Sequence, residues 1–309
     1  MSIAGRPHRP PGRARRWIGR VAAVVVALAA CSGGGDDAPA GGDATSGGAQ
    51  ADRPYEVHVP PAAGESPPLL LVLHGYGMTG DQLVDIYDID TLSEQLGLVY
   101  VAPDGTPDES GRRFWDASTA CCNFTGTPVD DSTYLADLVD AVVAEHGIDP
   151  ARVFVLGVSN GGFMAYRLAC EHADAFAAIA SVAGANAPPG ECAADVAMSV
   201  LEVHGTADDT IAYSGASMGA TTYPSAPDGV TAWADLDGCD ARLLEQDGAL
   251  DLEATIDGAE TSVASAPDCP EGVAAELWTV TGADHEMDFG PDAVPAILDF
   301  LLAHPRAGT

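Results

Sequence analysis

Residues 153–173 read VFVLGVSNGGFMAYRLACEHA, and the architecture can be worked out from this stretch. It opens with four apolar residues that are typical of a buried strand, and its later apolar positions are spaced as on one face of a helix. Between them lies the pattern Gly-x-Ser-x-Gly, centred on Ser159. Its glycines remove the side chains that would clash in a sharp turn. The stretch therefore predicts a nucleophilic serine at a strand–turn–helix junction.

A second Gly-x-Ser-x-Gly occupies residues 215–219, around Ser217. It follows a polar loop, and Pro224 and Pro227 come soon after it, where they disfavour a continuing helix. We therefore assign Ser217 to a surface loop and the chemistry to Ser159.

Short apolar runs alternate with helical patterns along the rest of the chain. Such continuous runs are typical of strands that are buried on both faces, and the alternation predicts an α/β fold with a mostly parallel sheet flanked by helices. The run LDLEATIDGAETSVASA (250–266) reads as two strands on either side of an Asp257-Gly258 turn, and it predicts a β-hairpin insertion near residues 239–275. The predicted strands are YEVHV (55–59), LLLVLH (69–74), LVYVA (98–102), VFVLG (153–157), AIASVAG (ending at Gly184), VLEVHG (200–205) and ELWTVTG (276–282).

The first residues predict an export signal. They carry six arginines and no acid, followed by the run VAAVVVALAA, which is too short to span a bilayer, and then Cys31. The ending LAAC resembles the lipobox of bacterial lipoproteins, so Cys31 is expected to carry a lipid; a plain secretory signal with a chance cysteine is the alternative. The expected division is a signal peptide at 1–30, a flexible Gly/Ala/Asp-rich tether at 31–53 and a catalytic domain at 54–309.

Acidic residues dominate the charge. The chain has 46 acids, 13 basic residues, no lysine and a formal net charge of −33. Such a surface repels nucleic acid and anionic lipid headgroups and suits a neutral or cationic ligand. Contact with a membrane is expected only through the N-terminal lipid.

Six cysteines lie beyond Cys31, and none of them forms a C-x-x-C pair. No zinc site is therefore expected, whereas an even count in an exported chain predicts up to three disulfides. Cys239 and Cys269 flank the predicted hairpin and form the pairing that we favour. The adjacent Cys121 and Cys122 are expected to have different partners.

A serine hydroxyl needs a histidine to accept its proton and an acid to orient that histidine. In α/β-hydrolases, which carry their serine at such a strand–turn–helix junction, the acid and then the histidine follow the serine along the chain. Four histidines follow Ser159: His172 lies in the helical run directly after the serine, His204 lies within a strand, and His304 ends the last helix. His285 follows ELWTVTG at the carboxyl end of a strand, where such sites assemble, and is the predicted general base.

The remaining parts are an acid and an oxyanion hole. The loop after VLEVHG offers Asp208 and Asp209, and spacing alone does not separate them. Backbone N–H groups can hold the oxyanion; the candidates are Asn160, directly after the nucleophile, and Tyr76, within HGYG.

These residues belong to a longer succession of motifs: LHGYG, PDGT, RFWDASTACCNF, VDDSTYLADLVDAV, GVSNGG and HGTADDTIAY. The succession resembles the exported polyhydroxybutyrate depolymerase and feruloyl esterase family of α/β-hydrolases. The resemblance implies an α/β-hydrolase fold and no metal or organic cofactor. It maps the family's catalytic acid, at the end of HGTAD, to Asp208, its serine to Ser159 and its histidine to His285. The family usually has an aromatic residue and a proline after that histidine, whereas this chain has HEMD.

The sequence thus predicts an exported serine esterase. The expected substrates are hydroxyalkanoate oligomers or polyester, or feruloyl-type aryl esters. A peptidase or acyltransferase on the same fold is one alternative, and a catalytically silent envelope lipoprotein that binds a ligand is another. The intact serine, acid and histidine argue against silence.

Overall fold

The computed structural model describes residue 53 and residues 55–186, 192, 196–218 and 221–306. All of them belong to one compact unit, Ser46–Thr309. The predicted signal peptide, Cys31 and the tether up to residue 52 lie outside the described residues. Within the described ranges, no helix has both the length and the apolar character needed to cross a membrane.

Helices and strands alternate along most of the chain. In chain order the elements are β1 (Val57–His58), β2 (Leu69–Leu73), α1 (Gly80–Ile86), α2 (Ile89–Leu96), β3 (Val99–Val101), β4 (Thr106–Pro107), β5 (Arg113–Phe114), α3 (Asp131–His146), β6 (Val153–Val158), α4 (Asn160–Glu171), β7 (Ala178–Val182), β8 (Ser199–Gly205), β9 (Ala216–Met218), β10 (Thr221–Tyr223), α5 (Ala226–Leu236), β11 (Leu244–Leu250), β12 (Thr261–Ser265), β13 (Ala275–Val280) and α6 (Ala293–Ala303).

In the described part of the chain, nine strands form one sheet in the order β1-β3-β2-β6-β7-β8-β13-β12-β11. The six strands from β3 to β13 in that order pair in parallel, whereas β1 at one edge and β12 and β11 at the other pair antiparallel. The chain enters the middle of the sheet at β2, moves outward to β3 and returns to β6. The strand order therefore reverses between β2 and β6, and ligands bind at the carboxyl ends of strands at such a switch point.

Helices cover both faces of the sheet. Successive side chains of β2 point to opposite faces, so that Leu71 packs with residues of α3 and α4 and Leu70 packs with residues of α1, α2 and α6. Both side chains are fully buried. The predicted α/β-hydrolase architecture, with a mostly parallel sheet between helices, is confirmed.

The predicted hairpin near residues 239–275 is present as β11 and β12, and it extends the main sheet because β12 pairs with β13. Its first strand lies earlier than expected, and residues 251–256 form a loop instead. The Glu260 carboxylate accepts the backbone N–H groups of Leu252 and Glu253 at 3.0 and 3.1 Å. In a strand, these two backbone N–H groups would donate to a neighbouring strand; here they donate to the Glu260 side chain instead.

The region after Ser217 also differs from the prediction. Ser217 is exposed, but it lies in the short ribbon of β9 and β10 rather than in an irregular loop. Helix α5 begins at Ala226 in spite of Pro227, because the first turn of a helix contains N–H groups that have no intrahelical acceptor. The Ser225 hydroxyl caps this helix by accepting the Asp228 N–H at 3.1 Å.

The six described cysteines form three disulfides. Cys239 pairs with Cys269, as the sequence favours, and this bond joins the two ends of the hairpin segment. A second bond joins Cys170 to Cys192. Cys121 and Cys122 are bonded to each other. The expectation that they have different partners is wrong: their Cα atoms lie 3.1 Å apart, within reach of a bond between the two side chains.

Arg53, which the sequence analysis assigns to the tether, is part of the folded unit. It is buried, forms an ion pair with Asp131 at the start of α3, and its guanidinium lies 3.7 Å from the centre of the Tyr134 ring. A buried charge requires such a partner, since an unpaired one is costly to remove from water.

Candidate active site

Ser159 lies in the turn between β6 and α4, with φ 54° and ψ −116°. This conformation is strained for a residue with a side chain and persists only where the surroundings enforce it. The neighbouring glycines allow it: a Cβ on Gly157 would lie 2.1 Å from the Gly161 carbonyl oxygen, and a Cβ on Gly161 would lie 2.0 Å from that of Leu73. The turn presents a half-buried Ser159 at the carboxyl edge of the sheet.

The side chains of Ser159, His285 and Asp208 form a hydrogen-bonded series. His285 Nε2 lies 3.0 Å from Ser159 Oγ, and His285 Nδ1 lies 2.7 Å from Asp208 Oδ2. Because an ionised carboxylate only accepts, Nδ1 carries a proton and Nε2 is left to accept the proton of the serine hydroxyl. The structure thus brings together three residues from the loops after β6, β8 and β13, all of which the sequence analysis selected.

Asp208 is ionised and held in one orientation. Its side chain is fully buried, whereas Asp209 is exposed. Burial acts to raise the pKa of Asp208, but hydrogen bonds with His204 and His285 outweigh that effect and hold the pKa below its usual value. Oδ1 accepts two backbone N–H groups of its own loop, at 2.9 and 2.8 Å. Oδ2 is therefore left to face the histidines.

Two backbone N–H groups lie beside the serine. Asn160 is the first residue of α4, where a helix leaves N–H groups without intrahelical acceptors and where the positive end of its dipole lies. The Tyr76 N–H has no acceptor among the described residues. Its loop lies against the turn, since a Cβ built on Gly75 would be 3.5 Å from Ser159 Cβ. Both N–H groups can therefore serve an oxyanion that forms next to Ser159.

Buried side chains connect the loop that contains Tyr76 to the turn that contains Asn160. Asn160 Oδ1 accepts the Trp115 N–H at 2.7 Å, and Asn160 Nδ2 donates to the Trp115 carbonyl at 2.9 Å. The Trp115 indole N–H donates to the His74 carbonyl at 3.0 Å. His74 Nε2 accepts the Gly105 N–H, and its Nδ1 lies 2.8 Å from the Gly75 carbonyl. His74 is therefore neutral and structural, and burial lowers its pKa.

A cleft of about 510 Å³ opens beside Ser159 and His285. Its wall is mostly apolar, and Glu286 and Asp288 stand at its exposed rim. Such a wall suits an uncharged, apolar group next to the nucleophile. No cluster of three or more metal-ligating side chains occurs in the part of the chain that the structure describes. The apolar lining consists of Met78, Leu83, Ile86, Tyr87, Val158, Val182 and Met287, with Tyr76 beside them.

Two polar residues of β8 were missed as parts of the site. Glu202 and His204 are both buried, and His204 lies 3.3 Å from Asp208 Oδ2. The available signal was a pair of polar residues two positions apart, and so on one face, in an otherwise apolar strand. His304, another histidine after Ser159, follows α6, and its Nδ1 lies 2.7 Å from the Phe300 carbonyl oxygen.

The family model described as esterase PHB depolymerase matches residues 54–262, which include Ser159 and Asp208. The chain belongs to the esterase PHB depolymerase family. It is thus a member of a family of carboxylic ester hydrolases.

Two curated relatives agree with that membership, and one solved structure agrees with the fold. Feruloyl esterase B of Talaromyces stipitatus is 30% identical over 128 residues, which are 41% of this chain and 35% of that protein. Poly(3-hydroxybutyrate) depolymerase of Ralstonia pickettii is 35% identical over 136 residues, 41% of this chain and 27% of that protein. The chain therefore spans about a third or less of either relative. An acetyl xylan esterase from Aspergillus awamori shares the fold, with a TM-score of 0.56, 19% identity and coverage of 81% of this chain and 94% of that one.

Proposed function

We propose that the protein is an exported serine esterase that hydrolyses carboxylic esters through an acyl-enzyme. The observation that carries the proposal is the series of contacts from Ser159 Oγ to His285 at 3.0 Å and from His285 to Asp208 at 2.7 Å. A serine hydroxyl becomes a nucleophile at neutral pH only when such a base takes its proton.

The reaction follows from these contacts. His285 Nε2 takes the hydroxyl proton while Ser159 Oγ attacks the ester carbonyl, and the ionised Asp208 stabilises the imidazolium that forms. The N–H groups of Tyr76 and Asn160 donate to the oxyanion. His285 then gives its proton to the leaving alcohol, which leaves an acyl group on Ser159. His285 then takes a proton from a water molecule, which attacks this ester, and returns that proton to Ser159 Oγ as the carboxylic acid leaves.

The proposed substrates are hydroxyalkanoate oligomers or feruloyl-type aryl esters. The apolar wall of the cleft supports an uncharged acyl or aryl group, and the names of the two curated relatives support these two classes. Export is supported by the arginine-rich and apolar N-terminal residues and by the three disulfides. Lipid attachment at Cys31 is part of the proposal, and mass spectrometry of the mature N-terminus tests it.

Hydrolysis of p-nitrophenyl butyrate by the purified mature protein tests the reaction. We expect Ser159→Ala to lower kcat by about 10⁴-fold or more, as loss of a triad serine does. Ser217→Ala is the matched control, since it removes the other serine of a Gly-x-Ser-x-Gly pattern, and it should keep wild-type kcat. Full activity in Ser159→Ala, or its loss in Ser217→Ala, contradicts the proposal.

A substrate panel separates the ester classes. Oligomers of 3-hydroxybutyrate, methyl ferulate and a peptide amide are compared by kcat/KM at equal enzyme concentration. Hydrolysis of one of the two ester classes is expected. Cleavage of the peptide at a higher kcat/KM than either ester would reject the assignment as an esterase.

A further inference from the structure

Asp208 has a second histidine neighbour that the proposed reaction does not use. His204 Nε2 lies 3.3 Å from Asp208 Oδ2, the same oxygen that His285 Nδ1 contacts at 2.7 Å. On its other side, His204 Nδ1 lies 2.9 Å from Glu202 Oε1. The side chains of His204 and Glu202 are only 1% and 2% exposed. A continuous series of close polar contacts thus runs from buried Glu202 through His204, Asp208 and His285 to Ser159.

The proton positions on His204 follow from its partners. Its Nε2 also lies 2.8 Å from the Ile211 carbonyl, which can only accept, so Nε2 carries a proton. The contact between His204 Nδ1 and Glu202 Oε1 requires one further proton between those two atoms. With both protons present, Glu202 and His204 together carry no net charge. A pair without net charge costs less to bury than an isolated ion.

The surroundings favour retention of these protons. Burial acts to lower the pKa of His204, but hydrogen bonds with Asp208 and Glu202 raise it to about 10. Burial raises the pKa of Glu202, against the opposing effect of His204. The other titratable side chains that face the pair are Tyr166 of α4, which lies against Glu202, and Tyr213, whose ring centre is 5.8 Å from that of His204. His204 therefore presents an N–H to Asp208 throughout the neutral range.

We infer that His204 is a positioning residue for Asp208 and that Glu202 holds His204 in place. The Nε2–H group is shared between the Ile211 carbonyl at 2.8 Å and Asp208 Oδ2 at 3.3 Å, and it holds Oδ2 from the side of the sheet, while the backbone N–H groups fix Oδ1. Asp208 then cannot rotate away when His285 turns towards the substrate or the leaving alcohol. The inference rests on the proposed function, because it concerns the acid of that triad.

Two amide substitutions at His204 test the inference. In His204→Gln the side-chain amide reaches the place of the ring Nε2 and can donate to Asp208, whereas in His204→Asn it reaches only the place of Nδ1, beside Glu202. Both variants lose the ring and keep an amide, so they are matched in polarity. We expect His204→Asn to lower kcat by about 10- to 100-fold, with KM unchanged, because small displacements of catalytic groups have effects of that size. His204→Gln should recover most of that loss.

Active-site titration with a fluorophosphonate gives kcat per functional site, so that partial unfolding does not count as lost catalysis. Equal kcat values in His204→Gln and His204→Asn, or a change in KM alone, overturn the inference.

Glu202→Leu provides a second test in case both His204 variants fold poorly. Without the carboxylate, His204 can release its second proton and stay neutral, so no uncompensated charge is buried. We expect kcat per site to fall by about tenfold with KM unchanged, since the ring loses the partner that orients it. Wild-type kcat in this variant rejects the inference. Failure of the proposed function looks different: the wild-type protein hydrolyses no ester, Ser159→Ala changes nothing, and both proposals fall together.

Discussion

The two histidines that contact Asp208 differ in their access to solvent. The side chain of His285 is 17% exposed, whereas that of His204 is 1% exposed. His285 can therefore exchange a proton with a substrate in the cleft, while His204 keeps its protons inside the sheet. This difference in burial separates a group that transfers protons from a group that holds its neighbour in place.

Stability at alkaline pH should depend on His204. Its folded pKa is raised to about 10 from the ordinary 6.5, so the folded state retains a proton that the unfolded chain releases. The resulting stabilisation is complete below pH 6.5 and is lost as the pH rises towards 10. We expect the free energy of unfolding in urea to fall across this window in the wild type and to fall less in His204→Gln. Equal slopes in the two proteins would contradict this expectation.

The site is assembled by whole elements rather than by one local motif. Ser159 follows β6, the Tyr76 loop follows β2, Asp208 follows β8 and His285 follows β13. In the sheet β2 is next to β6, and β8 is next to β13, and all four strands run in the same direction. Their carboxyl ends therefore meet at one edge, where loops that are distant in sequence can touch.

The close approach of α4 to β2 predicts a sharp difference between two glycines. A Cβ on Gly161 would lie 2.0 Å from the Leu73 carbonyl oxygen, whereas a Cβ on the exposed Gly64 would meet nothing within 4 Å. We expect Gly161→Ala to lower the free energy of unfolding by about 1–3 kcal/mol and to abolish ester hydrolysis, because the helix must shift. Gly64→Ala should leave both unchanged. Thermal unfolding and the hydrolysis of p-nitrophenyl butyrate are measured for both variants. Wild-type stability and activity in Gly161→Ala would contradict the close approach of α4 to β2.

The bond between Cys239 and Cys269 should stabilise the hairpin end of the sheet. The two cysteines are 30 residues apart in the sequence, so the bond closes a loop of that length. Replacing both cysteines by alanine should lower the free energy of unfolding by about 2–4 kcal/mol, because the unfolded chain gains freedom. The measurement is urea unfolding under non-reducing conditions. The same midpoint and slope in the double variant and the wild type would show that the bond adds no stability.

The elements that position the site could be predicted from the sequence because their signals are local. Residues 153–173 contain a strand, a turn and a helix in one run, and the strand ends before Asp208 and His285 are apolar runs followed by polar loops. Helix α5 was missed because Pro227 was interpreted as a helix breaker, although it lies in the first turn. The role of the Glu202–His204 pair could not be predicted from the sequence, since it depends on the contact between His204 and Asp208 in the folded protein.

The net negative charge of the molecule affects which substrates approach the cleft. The chain carries a formal net charge of −33, and Glu286 and Asp288 add exposed carboxylates at the rim of the cleft. A field of one sign slows the approach of ions of the same sign and is screened by salt over about 10 Å at 0.1 M. The molecule should therefore discriminate between esters by their charge as well as by their shape.

Two esters of similar acyl length test this selectivity. We expect kcat/KM for p-nitrophenyl hemisuccinate, which carries a carboxylate, to be lower than for neutral p-nitrophenyl butyrate. The difference between the two kcat/KM values should become smaller in high salt, because screening weakens the repulsion. It should also become smaller in the double variant Glu286→Gln and Asp288→Asn, which removes the rim charges without changing side-chain size. If the difference in kcat/KM between the two esters changed neither with salt nor with these substitutions, charge would not select the substrate.

The activation of Ser159 by His285 can be tested most directly by covalent labelling. The protein is treated with diisopropyl fluorophosphate, which reacts with activated serines, and the adduct is located by tandem mass spectrometry of its peptides. We predict one adduct, on Ser159, with wild-type labelling in Ser217→Ala and none in His285→Ala. An adduct on Ser217, or an active esterase that is not labelled at Ser159, would contradict the account.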